Sequence, residues 1–252
     1  MRRGDKLPLV SPRRMTGSIS RGKKTQIILL LQLSFPFQSS TESNPFKEED
    51  FLLLTENSAA FNFCEKFFAQ KDFSTSQFQS LILKGAKASG KTHLLNIFAK
   101  KFGAEFLDKE KILNVNPANF FTANCFYILE NFEEIADQEL LLRLINSATE
   151  SQAFLILSAQ EMPQFKLKDL ASRLKNIFTA QIQNPSHESI KMLLSNQLSR
   201  RQIKLSKAAI NFISDSIERS FAAVFAAVKL AESLAQEGEK DLTHAYAIKN
   251  RL

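Results

Sequence analysis

The chain has 252 residues, 44% of them hydrophobic, which is enough to bury a sizeable core and too much for disorder to be its main state. Two cysteines, Cys64 and Cys125, supply no disulfide framework and point to a reducing compartment, while three scattered histidines, His93, His187 and His244, argue against zinc chemistry. The formal charge of +7 is local, because residues 1–24 carry eight basic side chains against one acid, Asp5, and the rest of the chain balances. Binding to a phosphate backbone draws its affinity from a basic surface, and nothing in the composition beyond residue 24 demands one.

Residues 1–24 contain Gly4, Pro8, Pro12, Gly17 and Gly22 among their charges and show no apolar period, so they read as a disordered tail. Ile27-Ile28-Leu29-Leu30-Leu31 follows a basic stretch as a signal peptide would. It is broken by Gln32, lacks a small-x-small cleavage site and falls far short of the ~20 apolar residues of a membrane span. A cytoplasmic protein without membrane contact is expected. From Asn44 onward apolar residues at three-to-four spacing predict a helix over 57–68. A short apolar strand over 79–84 leads through a glycine loop to a helix over 91–101. Two further strands, 126–129 and 154–157, are apolar at every position, and a helix is predicted over 137–149 between them. That pattern predicts an α/β fold with a parallel sheet covered on both faces. Beyond Pro185 only helices are expected, over 186–201, 206–216 and 221–236. The organisation is therefore a tail over 1–43, an α/β domain over 44–184 and a small all-helical subdomain over 185–252.

The strongest motif is Gly85-Ala86-Lys87-Ala88-Ser89-Gly90-Lys91-Thr92, a match to G-x-x-x-x-G-K-[ST] between a strand and a helix. Such a loop turns its backbone N–H groups toward a phosphate at the positive end of the helix. Lys91 is placed to neutralise the β- and γ-phosphates and the Thr92 hydroxyl to ligate Mg2+. Glu130, at the end of the 126–129 strand, is the candidate second metal ligand. Asn131 stands where a carboxylate would orient or deprotonate an attacking water, and an amide cannot accept a proton, so weak intrinsic hydrolysis is expected. Glu133 and Glu134 either substitute for it or are solvated charges in the first turn of a helix. Ser158 and Gln160, at the end of the next strand, are either sensors of the γ-phosphate or ordinary turn residues. Arg173, expected just after a helix, reads as a surface arginine or as a finger reaching a phosphoryl group in a neighbouring molecule, and Arg219, in the helical part, meets the same surface reading.

Taken together these residues resemble the AAA+ initiator family, the DnaA-like proteins, across nearly all of 44–252. The P-loop continues as His93-Leu94-Leu95, as is typical of that family, which places His93 beside Ala88 and Ser89 among the nucleotide-binding candidates. Leu170-Ala171-Ser172-Arg173-Leu174 resembles the arginine-finger segment, and Glu218 to Ala223, with Arg219, resembles the sensor-two segment. Glu130 departs from the more usual aspartate. No DNA-binding helix-turn-helix is expected after the lid helices. Gln32-Leu33-Ser34-Phe35-Pro36-Phe37 resembles the short peptide that docks on the sliding clamp of the DNA polymerase, with Leu33, Phe35 and Phe37 entering an apolar groove and Gln32 at its rim. The resemblance thus implies the regulatory branch of the family. Such a member binds ADP or ATP with Mg2+ and docks on the clamp, so that its contact with DNA is indirect. It promotes hydrolysis of DnaA-bound ATP and so suppresses re-initiation, more as an activator of a partner's ATPase than as an enzyme of its own. Self-association is left open. The rivals are a DNA-acting AAA+ ATPase, such as a helicase loader or diverged initiator, and a small-molecule phosphotransferase.

Overall fold

The computed structural model describes residues 46–114 and 120–236. The basic tail, the clamp-like peptide from Gln32 to Phe37 and residues 237–252 of the helical subdomain lie outside the described residues. The chain alternates helices and strands: α1 (Thr55–Phe68), β1 (Ser80–Gly85), α2 (Lys91–Phe102), β2 (Glu105–Phe106), α3 (Lys109–Asn114), β3 (Phe126–Leu129), α4 (Gln138–Glu150), β4 (Phe154–Ala159), α5 (Lys168–Asn176) and β5 (Phe178–Ile182). Among the described residues three helices then follow without further strands: α6 (His187–Arg200), α7 (Lys207–Ser216) and α8 (Phe221–Gln236). Polar N-caps fix several helix starts: the Asp137, Ser186 and Ser206 side chains accept from the backbone N–H groups of Leu140, Ser189 and Ala209.

The five strands form one sheet in the order β2-β3-β4-β1-β5, all pairs parallel. Both β3 and β4 are buried at every position, as continuous apolar runs in a two-faced sheet require. Insertion of β4 between β1 and β3 has the main consequence for function. Leu83 pairs with Ser158 and Leu157 with Leu129, so the phosphate loop after β1, Ser158 on β4 and Glu130 after β3 emerge together at the C-terminal edge of the sheet.

The two faces of the sheet are packed differently. One is aromatic: Phe126 and Phe154 stack with centroids 4.6 Å apart, and Phe68 stacks on Phe98 at 5.3 Å. That cluster runs without a break into Ile190, Leu194, Val224 and Leu234 of α6 and α8, so the helical part shares the sheet's core. The opposite face is aliphatic and receives α4 and α5 through residues such as Leu141, Leu144, Leu170 and Leu174. Glu56 on α1 ties the helical part down, its carboxylate accepting from Ser186 N at 2.7 Å and from Ser189 Oγ at 2.7 Å. Burial pulls the Glu56 pKa up, and these hydrogen bonds outweigh that pull and leave it below the ordinary glutamate value.

Three elements go beyond the sequence expectation. The edge strand β5 alternates between exposed and buried positions and carries the exposed Phe178, so it lacks the unbroken apolar run that marks β1, β3 and β4. Strand β2 has two residues, too few for a period, and α3 is a short helix after it. Arg173 lies within the last turn of α5 and not after a helix. Among the described residues no helix is long and apolar enough to cross a membrane.

Candidate functional site

The loop from Gly85 to Thr92 is built around close approaches. A Cβ on Gly85 would lie 2.7 Å from Ser89 Oγ and 3.1 Å from the Ile182 Cβ, so a larger residue would push into the cradle the loop encloses. Gly90, at φ 92°, caps α2 in the left-handed region, and Ala88 also turns left-handed, at φ 63°, where a side chain is strained. The Lys91 ammonium folds back into this loop, donating to the Gly85 carbonyl at 2.6 Å and the Ala86 carbonyl at 3.2 Å. Burial lowers the Lys91 pKa, and the carboxylates of Glu133 and Glu130 oppose that shift. Ser89 is buried, and its Oγ has no hydrogen-bond partner.

Immediately after the loop, Thr92 Oγ1 donates to Glu130 Oε1 at 2.6 Å, which joins the two candidate metal ligands across the gap between α2 and β3. Among the described residues no group of three or more histidine, cysteine or acidic side chains could hold a metal alone. A hydroxyl and one carboxylate suit Mg2+, which keeps several waters and takes phosphate oxygens as further ligands. The orphaned Ser89 hydroxyl, the cradle a Cβ at Gly85 would fill and the buried Lys91 ammonium together fit a nucleotide phosphate with that ion. Lys91 and the loop N–H groups would hold the phosphates; Thr92 and Glu130 would hold the metal.

Beyond Glu130 the chain turns sharply. Asn131 is left-handed (φ 47°, ψ 52°), a region asparagine tolerates better than most residues, and it opens a 3-10 turn over Phe132–Glu134. Its N–H donates to Ser158 Oγ at 3.3 Å, and Ser158 is fully buried, so this hydroxyl ties the ends of β3 and β4 together. The two glutamates of the turn part company. Glu134 pairs with Lys109 at 2.6 Å near the surface. Glu133 instead points inward: Oε1 accepts from the Gln160 N–H at 2.7 Å, and Oε2 is buried without a partner. Solvation therefore describes Glu134 and not Glu133.

The structure brings Gly85, Ala88, Ser89, Gly90, Lys91, Thr92 and Glu130 into one cluster, with Asn131, Ser158 and Gln160 at its sheet side. His93 is turned another way. Its Nε2 lies 2.9 Å from the Lys47 carbonyl and its ring packs against Phe46 and Phe51, at centroid distances of 5.5 and 5.3 Å. The ring thus anchors the segment before α1, whose Phe51 also covers Gly90. Sequence reasoning passed over that segment, where paired phenylalanines were the available signal. Arg173 is exposed, with 44% of its side chain accessible, and its Nε lies 3.7 Å from Asp169 one turn back. Arg219 is exposed in the link between α7 and α8. Neither arginine has a hydrogen bond or ion pair to the phosphate-loop cluster.

No family model and no curated protein matches the chain. Solved structures do. Domain III of the Thermotoga maritima replication initiation protein DnaA superposes with a TM-score of 0.65 at 17% identity, covering 82% of this chain and 97% of that one. The replication initiator DnaA bound to AMPPCP and single-stranded DNA gives 0.60 at 18% identity, over 78% of this chain and 69% of the other. The Thermotoga maritima RuvB Holliday junction branch migration motor gives 0.58 at 13% identity, over 81% and 72%. At such identities the likeness is one of fold: a five-stranded parallel sheet with the glycine loop after β1 and a helical extension, arranged as in DnaA domain III.

Proposed function

We propose that the chain is a nucleotide-dependent regulator of replication initiation of the Hda kind. In this reading it binds ADP or ATP with Mg2+ at the Gly85–Thr92 loop, docks on the sliding clamp through Gln32 to Phe37 and promotes hydrolysis of ATP held by DnaA. The product is inactive ADP-DnaA. The observation that carries the reading is the exposure of Arg173. A planar guanidinium at the surface of α5, paired only loosely with Asp169 at 3.7 Å, is available to a triphosphate in a docked neighbour. There it would stabilise charge on the transferred phosphoryl group, a contribution of about 10³-fold or more in other phosphoryl-transfer systems. Asn131, an amide where a carboxylate would serve hydrolysis, agrees with a chain whose main output is a partner's reaction.

The roles divide as follows. Lys91, Ser89 and the loop amides bind phosphate, Thr92 and Glu130 hold the ion, and Ser158 and Gln160 fix the end of β4 beside them. Arg173 acts in trans, and Arg219 holds the place of the sensor-two arginine in the helical part. The alternative, a DNA-acting ATPase such as a helicase loader, would need a basic face, and the balanced charge beyond residue 24 speaks against one.

The test is a reconstituted assay of DnaA-bound ATP hydrolysis with DNA-loaded clamp. The intact chain is expected to stimulate. Arg173→Ala is expected to remove stimulation, by about 10³-fold if it acts as a finger, while clamp binding persists. A Leu33→Ala, Phe35→Ala double variant is expected to lose clamp binding first. Normal stimulation by both variants would sink the reading, and salt-dependent DNA binding by residues 25–252 would favour the alternative.

A further inference from the structure

Glu133 is the one acid in the 3-10 turn after β3 that faces inward, and its contacts set it apart from a structural carboxylate. One oxygen, Oε1, is fixed by the Gln160 N–H at 2.7 Å, which locks the side chain to the end of β4. The other oxygen, Oε2, is buried and has no partner, a costly arrangement for a carboxylate unless something polar arrives there. Lys84 pairs with Ala159, so Gln160 and the carboxylate fixed to it stand at the end of the sheet from which the phosphate loop emerges. Asn131, two residues earlier, is left-handed and offers only an amide.

We propose that Glu133 holds the attacking water for hydrolysis of this chain's own bound triphosphate, performing from the turn the task that Asn131 cannot. The inference rests on reading the Gly85–Thr92 loop as a triphosphate site. Glu133 Oε2 accepts the proton of a water whose oxygen bonds to the γ-phosphorus. The bond from that phosphorus to the β–γ bridging oxygen breaks, and its electron pair leaves with the diphosphate. Lys91 faces the charge that accumulates on the phosphate oxygens, and Thr92 and Glu130 are the residues that would hold a metal ion supplying further positive charge there. Oε1 stays on the Gln160 amide throughout, so the geometry of the water is set by the sheet and not by a loop. The consequence for regulation is a timer: the chain leaves its triphosphate state at a rate set by Glu133, independently of any neighbour.

Glu133→Gln tests this, because glutamine retains an oxygen for the Gln160 N–H and removes only the charge and the proton acceptor. Two quantities are measured on the full chain without DnaA or clamp: single-turnover hydrolysis of bound ATP, and equilibrium affinities for ATP and ADP. Hydrolysis is expected to fall by about 10²-fold, the lower end of what a positioned proton acceptor contributes. The variant is expected to bind ATP several-fold more tightly with ADP affinity unchanged, because a negative charge near the γ-phosphate has gone. Glu134→Gln, which alters only the surface pair with Lys109, is the matched control and is expected to change neither quantity. Unchanged hydrolysis and an unchanged ATP-to-ADP affinity ratio in Glu133→Gln would overturn the proposal and leave a structural tie to Gln160. Failure of the unaltered chain to bind either nucleotide would overturn the triphosphate reading itself, a result that is separate from both.

Discussion

The phosphate loop and the exposed edge of α5 each present a cation, and they present it in opposite ways. Lys91 is only 7% exposed, bonded to two carbonyls of its own loop and flanked by two carboxylates. Arg173 projects from the last turn of a nine-residue helix whose buried face consists of Leu170 and Leu174, and its contact with Asp169 is long. A charge that must receive a ligand within its own chain is preorganised and desolvated, which makes each contact strong and leaves little to reorganise on binding. A charge meant for a different molecule has to stay hydrated and movable until that molecule arrives. The contrast is what the proposed division of labour requires, and it can be attacked from either end.

The largest expected effect on nucleotide binding is at the buried end. Lys91→Ala removes the ammonium that would meet the β- and γ-phosphates, and the loss of its charge-assisted hydrogen bonds is expected to weaken nucleotide binding about a hundredfold or more in calorimetry. The same variant also strips the Gly85 and Ala86 carbonyls of their donor, but those groups can turn to water at the loop's mouth, so the fold is expected to survive. A Lys91→Ala chain that binds nucleotide as before would mean the loop is an ordinary glycine turn, and the contrast with Arg173 would lose its meaning.

A smaller effect concerns the strain within the loop. Ala88 occupies the left-handed region at φ 63°, which costs an L-residue about 1–2 kcal/mol. Ala88→Gly relieves that cost while adding some freedom to the unfolded chain, for a net gain of somewhat under about 1 kcal/mol and a rise in Tm of about 2–3 °C. Thermal unfolding of the nucleotide-free protein reads it directly. A fall in Tm would show that the loop is not held in the conformation described.

How much of this was legible beforehand follows from how local each signal is. The loop itself, the strands on either side of β4 and the caps at Asp137, Ser186 and Ser206 are written in consecutive residues, so motif and period reach them. Sheet order was not legible in the same way, because unbroken apolar runs mark β3 and β4 as covered on both faces without saying which strands flank them. For Glu133 and Glu134 the sequence left two readings open, substitute for Asn131 or solvated charge, and what separates the two residues is the Gln160 N–H twenty-seven positions from Glu133, across the sheet. The turning of His93 toward Phe46 and Phe51 was not readable, because it is a contact with a segment that carries no motif of its own. The edge strand β5 was hidden for a different reason: half of it faces water, so its composition resembles a loop.

The smallest expected effect lies at the exposed end and is the most discriminating about Arg173. Asp169 and Arg173 stand one helical turn apart at 3.7 Å with most of their surroundings in solvent, and exposed pairs of this kind contribute about 0.3–0.5 kcal/mol. Asp169→Ala should therefore lower Tm by no more than about 1–2 °C. Its effect on a partner's hydrolysis separates two pictures. If Asp169 merely parks a free guanidinium, removing it leaves stimulation of DnaA intact or slightly raised, because the arginine no longer has to leave a carboxylate before reaching a γ-phosphate. If stimulation falls as far as in Arg173→Ala while Tm barely moves, Asp169 is orienting the arginine or touching the partner itself, and the loosely held, self-sufficient finger inferred from the 3.7 Å contact gives way to a two-residue interface.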